Sequence, residues 1–323
     1  MQTAGDVKVV GKAARYVNVI DFLKKYGVGL ALVVLIVLNC VITPNFMSVN
    51  NMWNIVIQSS TVMLVALGMT IVIATGGIDI SVGSIMALSS VAFVHFLPHG
   101  VWVSLVAAIV VALFFGFVNG GVAAFFRIEP LIVTLATMIM IRGIAQLITD
   151  GRVVGFIHTE FTQIGYYRIG GIVPIQLVIV AVAIVVVYFL LKKMTFGRYV
   201  EAIGDNRKAA QLAGINIHVT LIWVYVIAAL MAGFAGIMET ARLSAADANN
   251  MGMLIELDAI AAVAIGGTIL TGGRAYLWGT IAGVYIMQII TTMVNMNNIP
   301  HAYSMVVKTL IIIFAVYIQR SND

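Results

Sequence analysis

"TGGIDISVGS" (residues 75–84) breaks a long apolar stretch with three glycines, an aspartate and three hydroxyl side chains. The flanking runs, near 55–75 and 80–97, are each close to the length that crosses a hydrocarbon core of about 30 Å. Non-helical backbone is tolerated at membrane depth only where protein or a water-filled cavity satisfies the freed N–H and C=O groups. The stretch therefore reads either as a broken or re-entrant helix or as a tight turn at the cytoplasmic surface. A weakly similar break, "IGGTILTGGR", follows at residues 265–274. Gly76, Gly77, Asp79 and Gly83 in the first break, Gly266 and Gly267 in the second, and Glu256 and Asp258 ahead of the second are the structural or gating candidates.

The whole chain of 323 residues follows the same pattern, with 62% hydrophobic and 10% charged residues. Soluble domains are about one quarter charged. The composition predicts an all-α polytopic membrane protein, one transmembrane domain over 1–323 surrounded by membrane lipid. About ten transmembrane or re-entrant helices are expected, near 27–44, 55–75, 80–97, 101–125, 130–149, 173–191, 218–238, 256–271, 277–295 and 302–319. The first run follows Lys24 and Lys25 with no small-residue cleavage site soon after, which marks a retained span.

Orientation follows from the basic residues. With both termini cytoplasmic, Lys8, Lys12, Arg15, Lys24, Lys25, Arg127, Lys192, Lys193, Arg198, Arg207, Lys208, Arg274 and Arg320 all lie inside, 13 of the 18 Lys and Arg. The net charge of +5 then reports topology and calls for no nucleic acid partner. Two external loops, 150–172 and 239–255, and one cytoplasmic loop, 192–217, are the main segments left in water. Ten spans divide into five and five, and an odd half inverts the second half across the membrane, the arithmetic of an inverted repeat.

Several chemistries are excluded. The nearest approach to a phosphate-binding loop, "GKAA" (residues 11–14), lacks both the following Ser/Thr and the earlier glycine, so this chain is not expected to hydrolyse ATP, and energy comes from a partner or from an ion gradient. The lone Cys40 forms no internal disulfide or cysteine cluster. His95 and His99 have the spacing of a metal pair, but Pro98 and Gly100 interrupt the helix that would present them. The 17 methionines are spread through apolar runs, where packing explains them. No catalytic Ser/His/Asp set or carboxylate pair is visible, and no cofactor or metal is expected on this chain.

One stretch is unlike the rest. "GDNRKAAQLAG" (residues 204–214) has capping residues in Asp205 and Asn206, helix-favouring residues after them, and Gly214 for a left-handed stop. Ala209, Leu212 and Ala213 are spaced to share one face, with Arg207, Lys208 and Gln211 turned away. So short a helix needs packing to persist, either on a docking partner or as a solvated connector between spans.

"FGRYVEAIGDNRKAAQLAGINI" (residues 196–217) resembles the cytoplasmic coupling segment of the ribose- and galactose-type permeases of bacterial ABC importers. "TPNFMSVNNMWNIVIQSS" (43–60), "GMTIVIATGGIDISVGS" (68–84) and "ELDAIAAVAIGGTILTGG" (256–273) resemble other segments of that family, in its order and spacing. The resemblance implies a permease of the bacterial inner membrane. It also implies a second permease chain forming a homodimer, a cytoplasmic ABC ATPase that carries ATP and Mg, and a periplasmic sugar-binding protein. On this resemblance Gly204, Asp205, Asn206, Arg207, Ala209, Ala210, Leu212 and Gly214 are the ATPase-coupling residues.

A neutral sugar delivered by a binding protein needs a pathway of small, amide, hydroxyl and aromatic groups rather than a tight site. Asn54, Gln58, Ser59, Asn119, Thr134 and Thr137 are candidates, with Gln146, Trp223 and Gln288 beside them; each could instead bond a neighbouring helix. The rival function is a self-contained secondary carrier for a small polar solute, with Asp79 as its ion site. Asp79 suits a capped helix start equally, and no buried ion pair is apparent from the sequence.

Overall fold

Apolar runs punctuated by Gly, Pro and Asx become helices with defined ends. The computed structural model describes residues 27–126 and 128–320; the basic N-terminal tail with "GKAA", and Arg127, lie outside the described residues. In chain order the helices are α1 (Gly27–Ile42), α2 (Val49–Ala74), α3 (Val82–Phe96), α4 (Val101–Phe125), α5 (Pro130–Thr149), α6 (Thr159–Tyr166) and α7 (Ile175–Lys192). They continue with α8 (Thr195–Asp205), α9 (Arg207–Leu212), α10 (Ile217–Leu243), α11 (Ile255–Ile265), α12 (Leu277–Met296) and α13 (His301–Arg320). Short strands β1 (Val153–Gly155), β2 (Arg168–Ile169), β3 (Val173–Pro174) and β4 (Ala245–Asp247) lie between them.

Local chemistry sets the ends. Ser48 caps α2, its Oγ accepting the Asn51 N–H at 3.3 Å. Pro130 opens α5, where its missing N–H costs nothing, and Asp150 closes it in the left-handed conformation. Asn216 caps α10 through the Val219 N–H at 3.2 Å.

Among the described residues, seven helices are long and apolar enough to cross a membrane: α2, α3 with its following 3₁₀ turn, α4, α5, α7, α10 and α12. Gly27–Ile42 and the Ala302–Ile311 part of α13 are shorter apolar helices. The expected single span at 256–271 is corrected: α11 has 11 residues and stops at Ile265. At 1.5 Å per residue that is only about 16 Å, half a hydrocarbon core. Gly266, Gly267, Gly272 and Gly273 occupy the irregular segment after it, and three of these four have positive φ. α2 starts earlier than expected, at Val49, because Ser48 caps it despite the asparagines that follow.

α10 is the central helix, packed against α4, α2 and α3. Its approach to α4 is backbone against backbone: a Cβ on Gly116 would lie 2.8 Å from the Val226 Cα, and one on Gly120 would lie 2.7 Å from the Ile222 Cα. Small residues at such crossings let helices gain dispersion contacts where lipid offers no hydrophobic driving force. α4, α5 and α7 instead carry exposed apolar side chains such as Phe114, Ile132 and Val182, a surface suited to lipid. The two long loops meet: β1 pairs antiparallel with β4 in the register Val153↔Asp247, and β2 pairs with β3 as a small hairpin.

Candidate functional site

The loop after α7 folds into two helices rather than the one expected. α8 is amphipathic and buries Gly197, Val200 and Ile203. Asp205 is its last residue, and Asn206 alone caps α9, its Oδ1 accepting the Ala209 N–H at 3.0 Å. Gly214 has φ +83°, the left-handed stop the sequence predicts. The face assignment needs correction. Ala210 is the α9 residue that packs inward, beside Ala124, Ile203, Ile217 and Leu221, while Ala209 and Ala213 are exposed and Leu212 is 90% exposed. Starting the helix after Asn206 turns residue 210 toward α10, and Leu212 falls on the outer side.

Beneath α8 the two glycine breaks meet. The Gly273 N–H donates to the Ala74 carbonyl at 3.0 Å, joining the end of α2 to the segment after α11. Gly204 rests on that bond: a Cβ there would come under 3.0 Å from both the Ala74 oxygen and the Gly273 nitrogen. A Cβ on Gly272 would lie 2.8 Å from the Gly76 nitrogen and 2.9 Å from the Gly204 Cα. Glu201 adds a polar tie, accepting the Ala275 N–H at 3.3 Å and pairing with Lys192 at 3.2 Å. Three glycine-bearing segments distant in sequence are thus in direct backbone contact. The contact is close and rigid, because no flexible side chain lies between the segments.

Within the first break, Asp79 is fully buried and its Oδ1 accepts the Ser81 N–H at 2.9 Å and the Ser81 hydroxyl at 2.6 Å. The Asn119 amide donates to Ser81 Oγ at 2.8 Å, and Thr134 Oγ1 accepts the Ile80 N–H at 3.3 Å. Asn119 and Thr134 are therefore brought together at the break, each bonding one of its groups, while Asp79 Oδ2 and Asn119 Oδ1 have no hydrogen-bond partner among the described residues. Thr137 is buried and bonds the Val133 carbonyl of its own helix. Asn54 and Gln58 are exposed on α2, where Gln58 accepts from Gln288 at 3.0 Å; Ser59 is buried and donates to the Val56 carbonyl. Gln146 donates to Asn249 at 2.9 Å, and Trp223 lies in an apolar groove with Phe114 and Phe117.

At the second break Gly266 lies against the Gly279 backbone, and Gly83 touches Gly252 with the Glu256 carboxylate alongside. Gly76 and Gly267 have positive φ, and Gly77 approaches the Tyr225 hydroxyl. Asp258 pairs with Lys308 of α13 at 3.0 Å, a partly buried ion pair that was not apparent from the sequence. Lys308 alone in an apolar run was the signal for it, since such a residue requires a partner. Arg142, in the middle of α5, is a second charge not anticipated: its Nη1 donates to the carbonyls of Ala248 at 3.0 Å and Met251 at 2.7 Å. Glu201, Gly272 and Gly273 were also missed, because their contacts are with residues far away in sequence.

Long apolar helices around interrupted, hydrogen-bonded breaks define a multi-pass membrane protein. Over residues 51–316 the chain matches the family described as "Branched-chain amino acid transport system / permease component", and it belongs to that family. It is 37% identical over 299 residues to the ribose import permease protein RbsC of Escherichia coli (strain K12), covering 91% of this chain and 93% of that one. It is 33% identical over 308 residues to the galactofuranose transporter permease protein YtfT of the same strain, covering 90% and 88%. To the L-arabinose transport system permease protein AraH of that strain it is 34% identical over 299 residues, covering 92% and 90%. No solved structure matches it. The chain is a transport subunit and not an enzyme.

Proposed function

We propose that this chain is the membrane-spanning permease subunit of an ATP-driven importer. It passes a monosaccharide from a periplasmic binding protein across the bacterial inner membrane and is coupled to a separate ATPase. The relatives named for ribose, galactofuranose and L-arabinose support a sugar cargo. The observation that carries the coupling role is the contact of Gly204 with the Ala74–Gly273 junction, beneath an α9 whose Leu212 is left outward.

In this reading the ATPase holds ATP and Mg, and its closure presses on Asp205, Asn206, Arg207, Ala209, Leu212 and their neighbours. α8 then shifts the ends of α2 and α12 together and moves the pathway from inward- to outward-facing. About ten transmembrane or re-entrant helices, cytoplasmic termini and a homodimer complete the picture. An inverted repeat is supported by two matching series: α2, a non-helical segment and short α3; then α10, the segment 244–254 and short α11. The contact of Gly83 with Gly252 brings the starts of the two short helices together.

The Lys308–Asp258 pair favours a secondary carrier, as does the buried Asp79, since intramembrane charges serve ion coupling. The family membership and the junction under α8 weigh more heavily. A Leu212→Arg variant separates the two. The side chain is 90% exposed, so folding and insertion should be retained while ATPase co-purification and sugar uptake are lost. Undiminished uptake would sink the coupling role.

A further inference from the structure

Two hollows adjoin along the crevice between α4 and α10. The first, of about 800 Å³, lies at the end of the bundle that carries α9; Arg207, Lys208, Gln211, Asn216 and His218 line it, and no carboxylate does. Neither Arg207 nor Lys208 belongs to an ion pair among the described residues. The second, of about 640 Å³, is the groove of Phe114, Phe117, Val219, Ile222 and Trp223, walled by aliphatic and aromatic side chains alone. His218 lines the first and Val219 the second, so one begins where the other ends. From Ile217 to Val226 they cover about 14 Å of α10 at 1.5 Å per residue. On α4 the spacing 110, 114, 117, 121, 124 keeps to one face, and Gly121 sits between the hollows, where a Cβ would meet nothing within 4 Å. His218 fixes this junction, its Nδ1 bonded to the Ala124 carbonyl at 2.9 Å and its ring stacked on Phe125 with centroids 4.9 Å apart.

We propose that the paired hollows seat one anionic phospholipid, its phosphate held by Arg207 and Lys208 and an acyl chain laid against Phe117, Phe114 and Trp223. Charge complementarity selects the headgroup: two cations with no carboxylate beside them leave a positive charge for an anion to balance, as in basic pockets between spans at a membrane surface. The groove selects the tail. It lies within two membrane-spanning helices, and its Phe114, Phe117 and Trp223 are more than half exposed, a surface that a soluble protein docking on α9 does not reach. A free phosphate would fill only the first hollow and a neutral lipid would satisfy only the second. That the leaflet is the cytoplasmic one rests on the orientation proposed above; the seat itself rests on the adjoining hollows.

The test is native mass spectrometry of the full-length chain released from nanodiscs of phosphatidylcholine and phosphatidylglycerol in equal parts, without and with its ATPase. The wild type should retain phosphatidylglycerol in preference to phosphatidylcholine. Lys208→Ala should lower that retention by about 5-fold, the effect of one Lys at an anionic surface. Gly121→Leu fills the space between the hollows without removing a charge and should lower it too; leucine favours helix over glycine, so the variant should fold. Lys193→Ala removes an exposed charge at the same end of the bundle but outside the hollow, and should retain lipid as the wild type does. Equal retention by wild type and Lys208→Ala, or an equal loss in Lys193→Ala, overturns the seat. If glycerol phosphate in excess displaces the lipid and binds Gly121→Leu as tightly as wild type, the hollow takes a free anion and the lipid assignment fails. Loss of the lipid when the ATPase binds gives the hollow to that protein and overturns the seat as well. Retention without the ATPase does not depend on transport, so failure of the importer reading would leave this result readable.

Discussion

Gly204→Ala adds one methyl group at the contact between α8 and the two breaks. The new Cβ would sit under 3.0 Å from the Ala74 carbonyl oxygen and from the Gly273 nitrogen, a separation that real Cβ atoms essentially never show. Both obstacles are backbone and are hydrogen-bonded to each other, so no rotamer change relieves the overlap. Overpacking in a tight core costs about 1–3 kcal/mol, and two rigid neighbours place this change near the upper end, about 3 kcal/mol. Relief requires α8 to lift or the Gly273–Ala74 bond to break. In detergent the midpoint of thermal unfolding should fall. In proteoliposomes the ATPase should remain bound and hydrolyse ATP, while sugar moved per ATP drops sharply. Gly151→Ala is the contrast: its φ of +67° strains the backbone, but nothing lies within 4 Å of the added carbon. That change should cost about 1 kcal/mol and leave coupling intact. Wild-type stability and wild-type coupling in Gly204→Ala would refute the junction as the route of force.

Two other outcomes are expected. Lys308→Ala should destabilise the packing of α13 on α11 by about 1–3 kcal/mol, less than the loss of a fully buried pair because Asp258 is one-third exposed, and adding Asp258→Ala should restore part of the loss; a double variant no better than Lys308→Ala would show the pair is not coupled. Where the two loops pair, partial burial pushes the Asp247 carboxyl upward, but the hydrogen bonds from Asn250 and Asn249 and the charge of Arg142 outweigh it and hold the carboxyl below its usual 3.8. A depressed native pKa adds stability above the unfolded value that is lost as pH falls through the native one. Amide exchange in the β1–β4 pair should therefore accelerate below about pH 3.8, and Asp247→Asn should remove that dependence.

The class of fold was legible because a membrane simplifies the code. Gly100 and Pro130 punctuate apolar runs whose helices, Val101–Phe125 and Pro130–Thr149, begin and end where composition changes. The glycines of residues 265–274 marked a break, but the span placed over 256–271 ran too far because apolar composition continues through "TIL" while the chain leaves the helix at Gly266 and Gly267. Hydropathy measures transfer to lipid, not backbone conformation, so it cannot tell a helix from an irregular segment covered by protein. Local capping was readable at Asn206 and Gly214, where the responsible atoms are within three residues. Gly204, Glu201, Arg142 and Lys308 act on partners dozens or hundreds of positions away, and a single sequence carries no record of that proximity.

The most direct test of the central claim is affinity purification of this chain from its native membrane in mild detergent, with mass spectrometry of what accompanies it and transport assays on the product. The account predicts an ATPase bearing a phosphate-binding loop, a periplasmic protein that binds a monosaccharide, and uptake that requires ATP. Recovery of the chain alone, transporting in vesicles without ATP, would contradict it and make the pair of helices at 195–212 a simple connector.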